Sequence, residues 1–102
     1  MNEVLVQGTE NGKLNVVLSG DIDSRNAEAF YNVVMEAYKK APSDILFDCE
    51  KLDFIDSTTL GTFVKILKAA KTDGHTVSLM NTQPRIKKLF LICSLDTIME
   101  IA

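Results

Sequence analysis

Four consecutive polar residues, Asp56-Ser57-Thr58-Thr59, place one carboxylate and three hydroxyls immediately ahead of an amphipathic segment. Apolar side chains recur in that segment with the i, i+3, i+4, i+7 spacing of one buried helical stripe, at Leu60, Phe63, Val64 and Leu67. Oxygens at a helix start accept hydrogen bonds from the free N–H groups of the first turn, and this end favours negative charge, phosphate included. The pattern therefore allows two roles for Ser57: an N-cap, or a site that gains and loses a phosphate.

Residues suited to nucleophilic or acid–base catalysis are scarce. His75 is the one histidine, and a Ser-His-Asp arrangement would need it beside Ser57. A helix from about Thr58 to Lys71, at about 1.5 Å per residue, holds the two about 20 Å apart. Acidic residues are numerous, but they lack EF-hand spacing, and the chain has no glycine-rich phosphate loop. The sequence predicts no catalytic residue, no metal site and no cofactor, so we expect a binding protein rather than an enzyme.

Length and composition suit one domain over residues 1–102. The chain is 46% hydrophobic and 25% charged, and its formal net charge of −3 argues against a nucleic-acid partner, since phosphate backbones attract basic patches. No apolar run approaches the roughly 20 residues that span a bilayer, and the N-terminus lacks signal-peptide features. We expect a cytoplasmic protein with no membrane insertion. Cys49 and Cys93 lie among apolar residues, which predicts two buried free thiols.

Hydrophobic periodicity divides the chain into alternating elements. It predicts four strands, at Val4–Val6, Leu14–Ser19, Ile45–Cys49 and His75–Met80. It predicts three helices, at Arg25–Lys40, at Thr58–Lys71 and from Thr82, the last with a stripe of Ile86, Leu89, Phe90 and Cys93. The turn residues Glu10–Lys13 join the first two strands in a hairpin, and Gly20–Ser24 breaks the second strand and offers helix caps. The segment Leu95–Ile101 is either a last strand or a packed coil.

The element order, β-β-α-β-α-β-α, indicates an α/β protein with right-handed parallel crossovers after the hairpin. We expect a small mixed sheet of four to five strands with three or more helices. The continuous apolar run Ile45–Cys49 is typical of a strand covered on both faces or deep in a sheet. The end of this strand and the start of the Thr58 helix meet at the carboxyl edge of the sheet, where ligand and partner sites concentrate.

Three motifs in this order resemble one family. The segment Phe54–Gly61 is similar to an apolar-Asp-Ser-Ser/Thr-Gly-Leu-Gly motif, and Leu18–Asp23 is similar to a Gly-Glu/Asp-Leu/Ile-Asp loop. The segment Pro84–Phe90 is similar to a Pro-x-apolar-x-basic-apolar-apolar helix start. The chain thus resembles the single-domain anti-sigma factor antagonists of the STAS (sulfate transporter and anti-sigma antagonist) group over nearly its whole length.

The resemblance implies a binding switch. In that family the serine after the motif aspartate, here Ser57, is phosphorylated by an anti-sigma factor that is an ATP-dependent serine kinase. The unmodified antagonist holds the anti-sigma factor and frees a sigma factor for transcription; the phosphorylated form lets go, and a phosphatase resets it. The implied partner-binding residues are Asp21, Asp23, Asp56, Ser57, Thr58, Leu60 and Gly61.

The motif departs from the family pattern in one place, because Thr59 stands where the family has glycine. Threonine is stiffer than glycine, and it leaves Thr58 and Thr59 as substitute acceptors. Two alternatives follow. Ser57 is only an N-cap, in which case Ser57→Ala costs about 1 kcal/mol of stability and leaves binding intact. Or the chain is an accessory module of a membrane (lipid) transport complex, since such relatives do not depend on a phosphoserine.

Overall fold

The computed structural model covers all 102 residues. Its five strands are β1 (Val4–Glu10), β2 (Lys13–Ile22), β3 (Asp44–Ile55), β4 (Val77–Met80) and β5 (Glu100–Ile101). Its three α-helices are α1 (Ala27–Lys40), α2 (Ser57–Thr72) and α3 (Pro84–Ile92), and a short 3-10 helix spans Leu95–Thr97.

The five strands form one mixed sheet in the order β1-β2-β3-β4-β5. β1 and β2 pair antiparallel as the predicted hairpin, and the remaining neighbours pair parallel. The predicted fold class and element order are confirmed. The segment Leu95–Ile101, predicted as either a last strand or a packed coil, forms the 3-10 helix and then β5. A hydrogen bond from the Ala102 N–H to the Leu79 carbonyl extends the pairing of β5 with β4.

β2 and β3 run further than their sequence patterns predict. β4 pairs with β3 only as far as Asp48, whereas β2 stays paired with β3 until Ile22 meets Ile55. Gly20, with φ of +66°, lets β2 continue past the predicted break through an irregularity in the register. We call residues 19–22 and 51–55 the β2–β3 tip. It carries the start of α2 beyond the rest of the sheet.

Helix α3 closes the open edge of the β2–β3 tip. The Arg85 guanidinium donates to the Asp53 carbonyl, and the Gln83 side-chain amide lies 3.5 Å from the Glu50 carbonyl. Carbonyls on an unpaired strand edge need such donors, because an unsatisfied backbone group is costly once shielded from water. Two motifs that are distant in sequence, one at the end of β3 and one at the start of α3, therefore lie side by side.

The core lies on one face of the sheet, beneath all three helices. Phe30 of α1, Phe63 of α2 and Phe90 of α3 are fully buried with Phe47 of β3, and their rings meet edge to face at centroid distances of 5.2 to 5.9 Å. Alternate residues of β2, β3 and β4 are only half-buried, so the opposite face carries no helix layer. The sequence predicted that β3 is either covered on both faces or deep in the sheet, and the second position is therefore correct.

The predicted stripe of α3 is only half right. Ile86 and Phe90 are buried, but Leu89 is 36% exposed and Cys93 is exposed. α3 ends after nine residues with Cys93 as its C-cap, so the last turn of the predicted stripe does not reach the core. The predicted burial of Cys93 is wrong, whereas Cys49 is fully buried, and burial raises the pKa of its thiol to about 12.

Deletion of one ring from the aromatic cluster tests this description of the core. We expect Phe63→Ala to lower the free energy of unfolding by about 3–5 kcal/mol, because it leaves a cavity among three other rings. Phe54→Ala is the matched control, since Phe54 is 51% exposed and its truncation should change stability by about 0.5 kcal/mol or less. Urea unfolding of both variants measures the difference, and equal losses would contradict the one-sided core.

Candidate functional site

The N-cap of α2 is Asp56, not Ser57. Asp56 has extended backbone geometry, and its Oδ1 accepts the Thr59 N–H at 3.0 Å. Ser57 is the first helical residue, so the alternative in which it serves only as the N-cap is wrong. The backbone N–H of Thr59, that of Ser24 and the Thr59 hydroxyl lower the pKa of the Asp56 carboxyl, which therefore stays ionised.

The second oxygen of Asp56 reaches across to another element. Its Oδ2 accepts the Ser24 N–H at 2.9 Å. Ser24 belongs to the connection between β2 and α1, residues 23–26, which we call the β2–α1 loop. One carboxylate thus caps α2 and holds the neighbouring loop against the first turn of that helix.

Thr59 adds a second tie between the same two elements. Its side chain is completely buried, and its hydroxyl lies within hydrogen-bond distance of the Ile22 carbonyl and 3.0 Å from Asp56 Oδ1. Both neighbours are acceptors, so the single hydroxyl proton serves one at a time and holds the two groups together. The threonine that departs from the family motif therefore has a structural role here, and it presents no surface that a kinase could reach.

The β2–α1 loop is ordered by its own side chains. Asp23 forms a two-point ion pair with Arg25, with Nη2 2.7 Å and Nε 3.0 Å from its carboxylate oxygens, and Arg25 lowers the pKa of that carboxyl to about 2. The Asn26 side chain accepts the Asp23 N–H at 2.8 Å and donates to the Asp21 carbonyl at 3.0 Å. Asp23 is 8% exposed because its carboxylate is occupied inside the loop.

The predicted site residues lie at the end of β2, in the β2–α1 loop and at the start of α2, but they differ in side-chain exposure. Asp21, Ser57, Thr58 and Gly61 are exposed and Leu60 is half-buried. Asp23 and Asp56 use their carboxylates for internal hydrogen bonds. None of the side-chain hydrogen bonds around α2's first turn involves the Ser57 hydroxyl, so this oxygen is free toward solvent.

Sequence reasoning missed two residues that shape this surface. Ser24 supplies the backbone N–H that Asp56 holds, and the sequence carries no signal for a contact between residues so far apart. Phe54 belongs to the quoted motif but was not predicted as a binding residue. Its side chain is 51% exposed, three residues before Ser57, so it adds an apolar group to the surface at the end of β3.

The single histidine lies at the other end of α2. His75 Nδ1 is 2.9 Å from the Tyr38 hydroxyl, which donates to Asp73 at 2.8 Å. Desolvation of the Tyr38 side chain and the Asp73 hydrogen bond raise the pKa of Tyr38 to about 12, so the phenol stays protonated. This cluster joins α1 to the end of α2 and is not part of the Ser57 site.

The architecture described above matches a known family. The family model described as the STAS domain covers residues 4–102. The chain belongs to the STAS domain family. Within this STAS domain, no helix combines the length and the apolar character needed to cross a membrane.

Curated relatives of this STAS domain include two bacterial proteins named anti-sigma-B factor antagonist. The Staphylococcus aureus (strain NCTC 8325 / PS 47) protein is 27% identical over 101 residues, which cover 99% of this chain and 94% of the relative. The Bacillus subtilis (strain 168) protein is 29% identical over 97 residues, which cover 95% of this chain and 87% of the relative.

Among solved structures, the STAS domain is similar to the anti-sigma factor antagonist SpoIIAA. The unphosphorylated form matches with a TM-score of 0.78 at 18% identity, covering 97% of this chain and 86% of that one. The phosphorylated form, from Bacillus, matches with a TM-score of 0.76 at 21% identity, covering 97% of this chain and 90% of that one. At these identities the likeness establishes the fold.

Removal of the Thr59 hydroxyl tests the tie between α2 and the end of β2. We expect Thr59→Val to lower the free energy of unfolding by about 1–3 kcal/mol, because a buried hydroxyl partner is lost at nearly unchanged volume. Thr59→Ser keeps the hydroxyl and should recover most of that loss. Chemical denaturation of both variants provides the measurement. A Thr59→Val variant as stable as the native chain, or one less destabilised than Thr59→Ser, would contradict the role given to the hydroxyl.

The Asp56 carboxylate predicts a pH dependence. Its pKa lies below the ordinary 3.8 in the folded chain, so its hydrogen bonds stabilise the fold above that pH and are lost as the pH falls through the folded value. The stability gap between the native chain and Asp56→Asn should be largest near neutral pH and shrink below about pH 4. Urea unfolding over a pH series measures the gap, with the exposed residue change Asp53→Asn as control. Parallel curves for native chain and Asp56→Asn would contradict the prediction.

Proposed function

We propose that this STAS domain is a cytoplasmic anti-sigma factor antagonist switched by phosphorylation of Ser57. In the unphosphorylated state it holds an anti-sigma factor that is a serine kinase, and a sigma factor is thereby released for transcription. The observation that carries the proposal is the free, exposed Ser57 hydroxyl at the first position of α2. The chain acts by binding and performs no chemistry of its own.

The similar proteins support the role of anti-sigma factor antagonist. The two curated relatives cover nearly the whole chain, and both are named as antagonists of an anti-sigma-B factor. SpoIIAA has been solved with and without phosphate, and both forms match this fold to a similar extent. We infer that a domain of this shape accommodates a phosphate without a change of fold, and that a kinase and a phosphatase exchange it.

The local geometry favours Ser57 as the phosphate acceptor over its neighbours. Thr59 is fully buried and its hydroxyl is held by two acceptors, so it is set aside. Thr58 is exposed, but it lies one position further into the helix. Ser57 and Thr58 both have an exposed hydroxyl without an internal hydrogen bond, and Ser57 is the one at the first helical position. A phosphate on it sits at the positive end of the helix, where free N–H groups and the dipole offset its charge.

The same phosphate works against a docked partner. It adds roughly −1.5 to −2 charges at neutral pH, next to the ionised Asp56 and near the exposed Asp21. A partner that covers Ser57 would have to desolvate these charges or place its own like charges against them. A loss of about 2.7 kcal/mol is enough to lower the affinity a hundredfold. Release therefore follows from charge alone, with the domain still folded.

Phosphorylation with a purified anti-sigma factor kinase and ATP tests the proposal. We expect mass spectrometry to find one phosphate, on Ser57, and to find none on Ser57→Ala, while Thr58→Ala is modified like the native chain. Ser57→Asp should bind the kinase about a hundredfold more weakly than the native chain, as measured by titration calorimetry. Modification elsewhere, or tight binding of the phosphorylated chain, would overturn the proposed switch.

Stability measurements on Ser57→Ala and Asp56→Ala test whether Ser57 is dispensable for the fold and Asp56 is needed as the helix cap. Because Asp56 is the N-cap, Ser57→Ala should change the free energy of unfolding by no more than about 0.5 kcal/mol. Asp56→Ala should destabilise the domain clearly, since it frees two backbone N–H groups. Thermal unfolding of both variants gives the comparison. A large loss in Ser57→Ala would mean that the serine is needed by the fold.

A further inference from the structure

A small cleft lies between the end of β3 and the start of α3. Its volume is about 220 Å³, and its lining is mostly apolar: Asp53, Phe54, Ile55, Arg85, Ile86 and Leu89. Phe54 is 51% exposed and Leu89 is 36% exposed, so two large apolar side chains meet solvent here. The hydrogen bond from Arg85 to the Asp53 carbonyl joins the two walls. We call this feature the Phe54 cleft.

The Phe54 cleft falls within reach of any protein that covers Ser57. Phe54 and Ser57 are three residues apart, so their Cα atoms are separated by at most about 11 Å. A specific interface of standard size covers about 800 Å² of each partner, a patch roughly 30 Å across. An interface of this size around Ser57 is therefore large enough to include the cleft as well. Aromatic residues at the centre of such a patch contribute much of the binding energy.

Charge indicates what kind of segment the Phe54 cleft would take. The exposed surface of α3 carries Arg85 and Lys88, with the half-buried Lys87 between them, and α3 has no acidic residue. None of these cations forms an ion pair, since the salt bridges of the chain are Arg25–Asp23 and Lys40–Glu36. Arg85 lines the cleft, whereas Lys87 and Lys88 lie outside its lining on the same helix, and the one acidic residue in the lining is the exposed Asp53. The three cations outnumber this carboxylate, so the charge balance along α3 favours a segment that combines an apolar side chain with carboxylates.

We propose that the Phe54 cleft is a second contact for the anti-sigma factor, which fills it with an apolar side chain flanked by acidic residues. This inference rests on the proposed function and adds a contact that the Ser57 phosphate does not touch. The docking surface then has two parts of opposite charge, one acidic around Ser57 and one basic along α3. The phosphate at Ser57 then weakens the contact around Ser57, and that loss alone is enough for release, while the cleft adds to the affinity by a factor that is the same in both states of Ser57.

The experiment measures kinase affinity by titration calorimetry for the native chain and for two variants of the cleft. We expect Phe54→Ala to weaken binding about tenfold or more, and Lys88→Glu to weaken it to a similar extent with a loss that diminishes at high salt. Ile98→Ala and Lys71→Glu are matched controls, because both residues are exposed outside the cleft. They should bind within about twofold of the native chain. Phe54→Ala should weaken binding by the same factor in a Ser57→Asp background.

The outcomes separate this inference from the proposed function. If Ser57→Asp releases the kinase but Phe54→Ala and Lys88→Glu bind like the native chain, the cleft proposal fails and the switch stands. If Phe54→Ala changes only self-association of the chain, seen by analytical ultracentrifugation, the occupant is a second copy and the cleft proposal again fails. If the native chain does not bind the kinase at all, both are overturned. Urea unfolding confirms that each variant is folded.

Discussion

The Asp56 carboxylate is the contact on which the rest of the site depends. One of its oxygens accepts the N–H of Thr59 in the first turn of α2, and the other accepts the N–H of Ser24 in the β2–α1 loop. A buried or half-buried carboxylate is stable only when such donors replace water, and its lowered pKa reflects them. Because Asp56 takes the capping role, the adjacent Ser57 is left with a hydroxyl that the fold does not need.

Because Asp56 caps the helix and Ser57 has no internal hydrogen bond, Ser57 is suited to reversible modification. A residue whose side chain holds the fold together cannot be modified without a loss of stability, whereas a residue with no internal partner can. Thr59 strengthens this arrangement, since its buried hydroxyl ties the first turn of α2 to the Ile22 carbonyl. The three hydroxyls of the motif are therefore not equivalent, although they are adjacent in sequence. Two face solvent and one belongs to the interior.

The β2–β3 tip explains why this site projects from the molecule. β2 and β3 continue together beyond their other neighbours, and α3 supplies side-chain donors to the exposed edge of β3. This geometry brings the start of α2, the β2–α1 loop and the start of α3 to one end of the sheet. The starts of α2 and α3 are separated in sequence by the rest of α2 and by β4. The uncovered opposite face of the sheet carries no comparable cluster of site residues.

Local patterns in the sequence were sufficient for the element order, the hairpin and the position of the hydroxyl cluster, because these depend on residues a few positions apart. In α2 they predicted only part of the buried stripe, since Phe63 and Leu67 are buried but Leu60 and Val64 are half-buried. They were insufficient wherever a contact joins distant segments. Helical spacing predicts that Leu89 and Cys93 are buried, yet Leu89 is 36% exposed and α3 ends before Cys93. Asp56 and Ser57 are both good N-cap residues; in the folded chain Asp56 takes that role, and its second oxygen accepts the N–H of Ser24, 32 positions earlier. The folded chain alone brings that N–H to the carboxylate, and it thereby leaves the serine free.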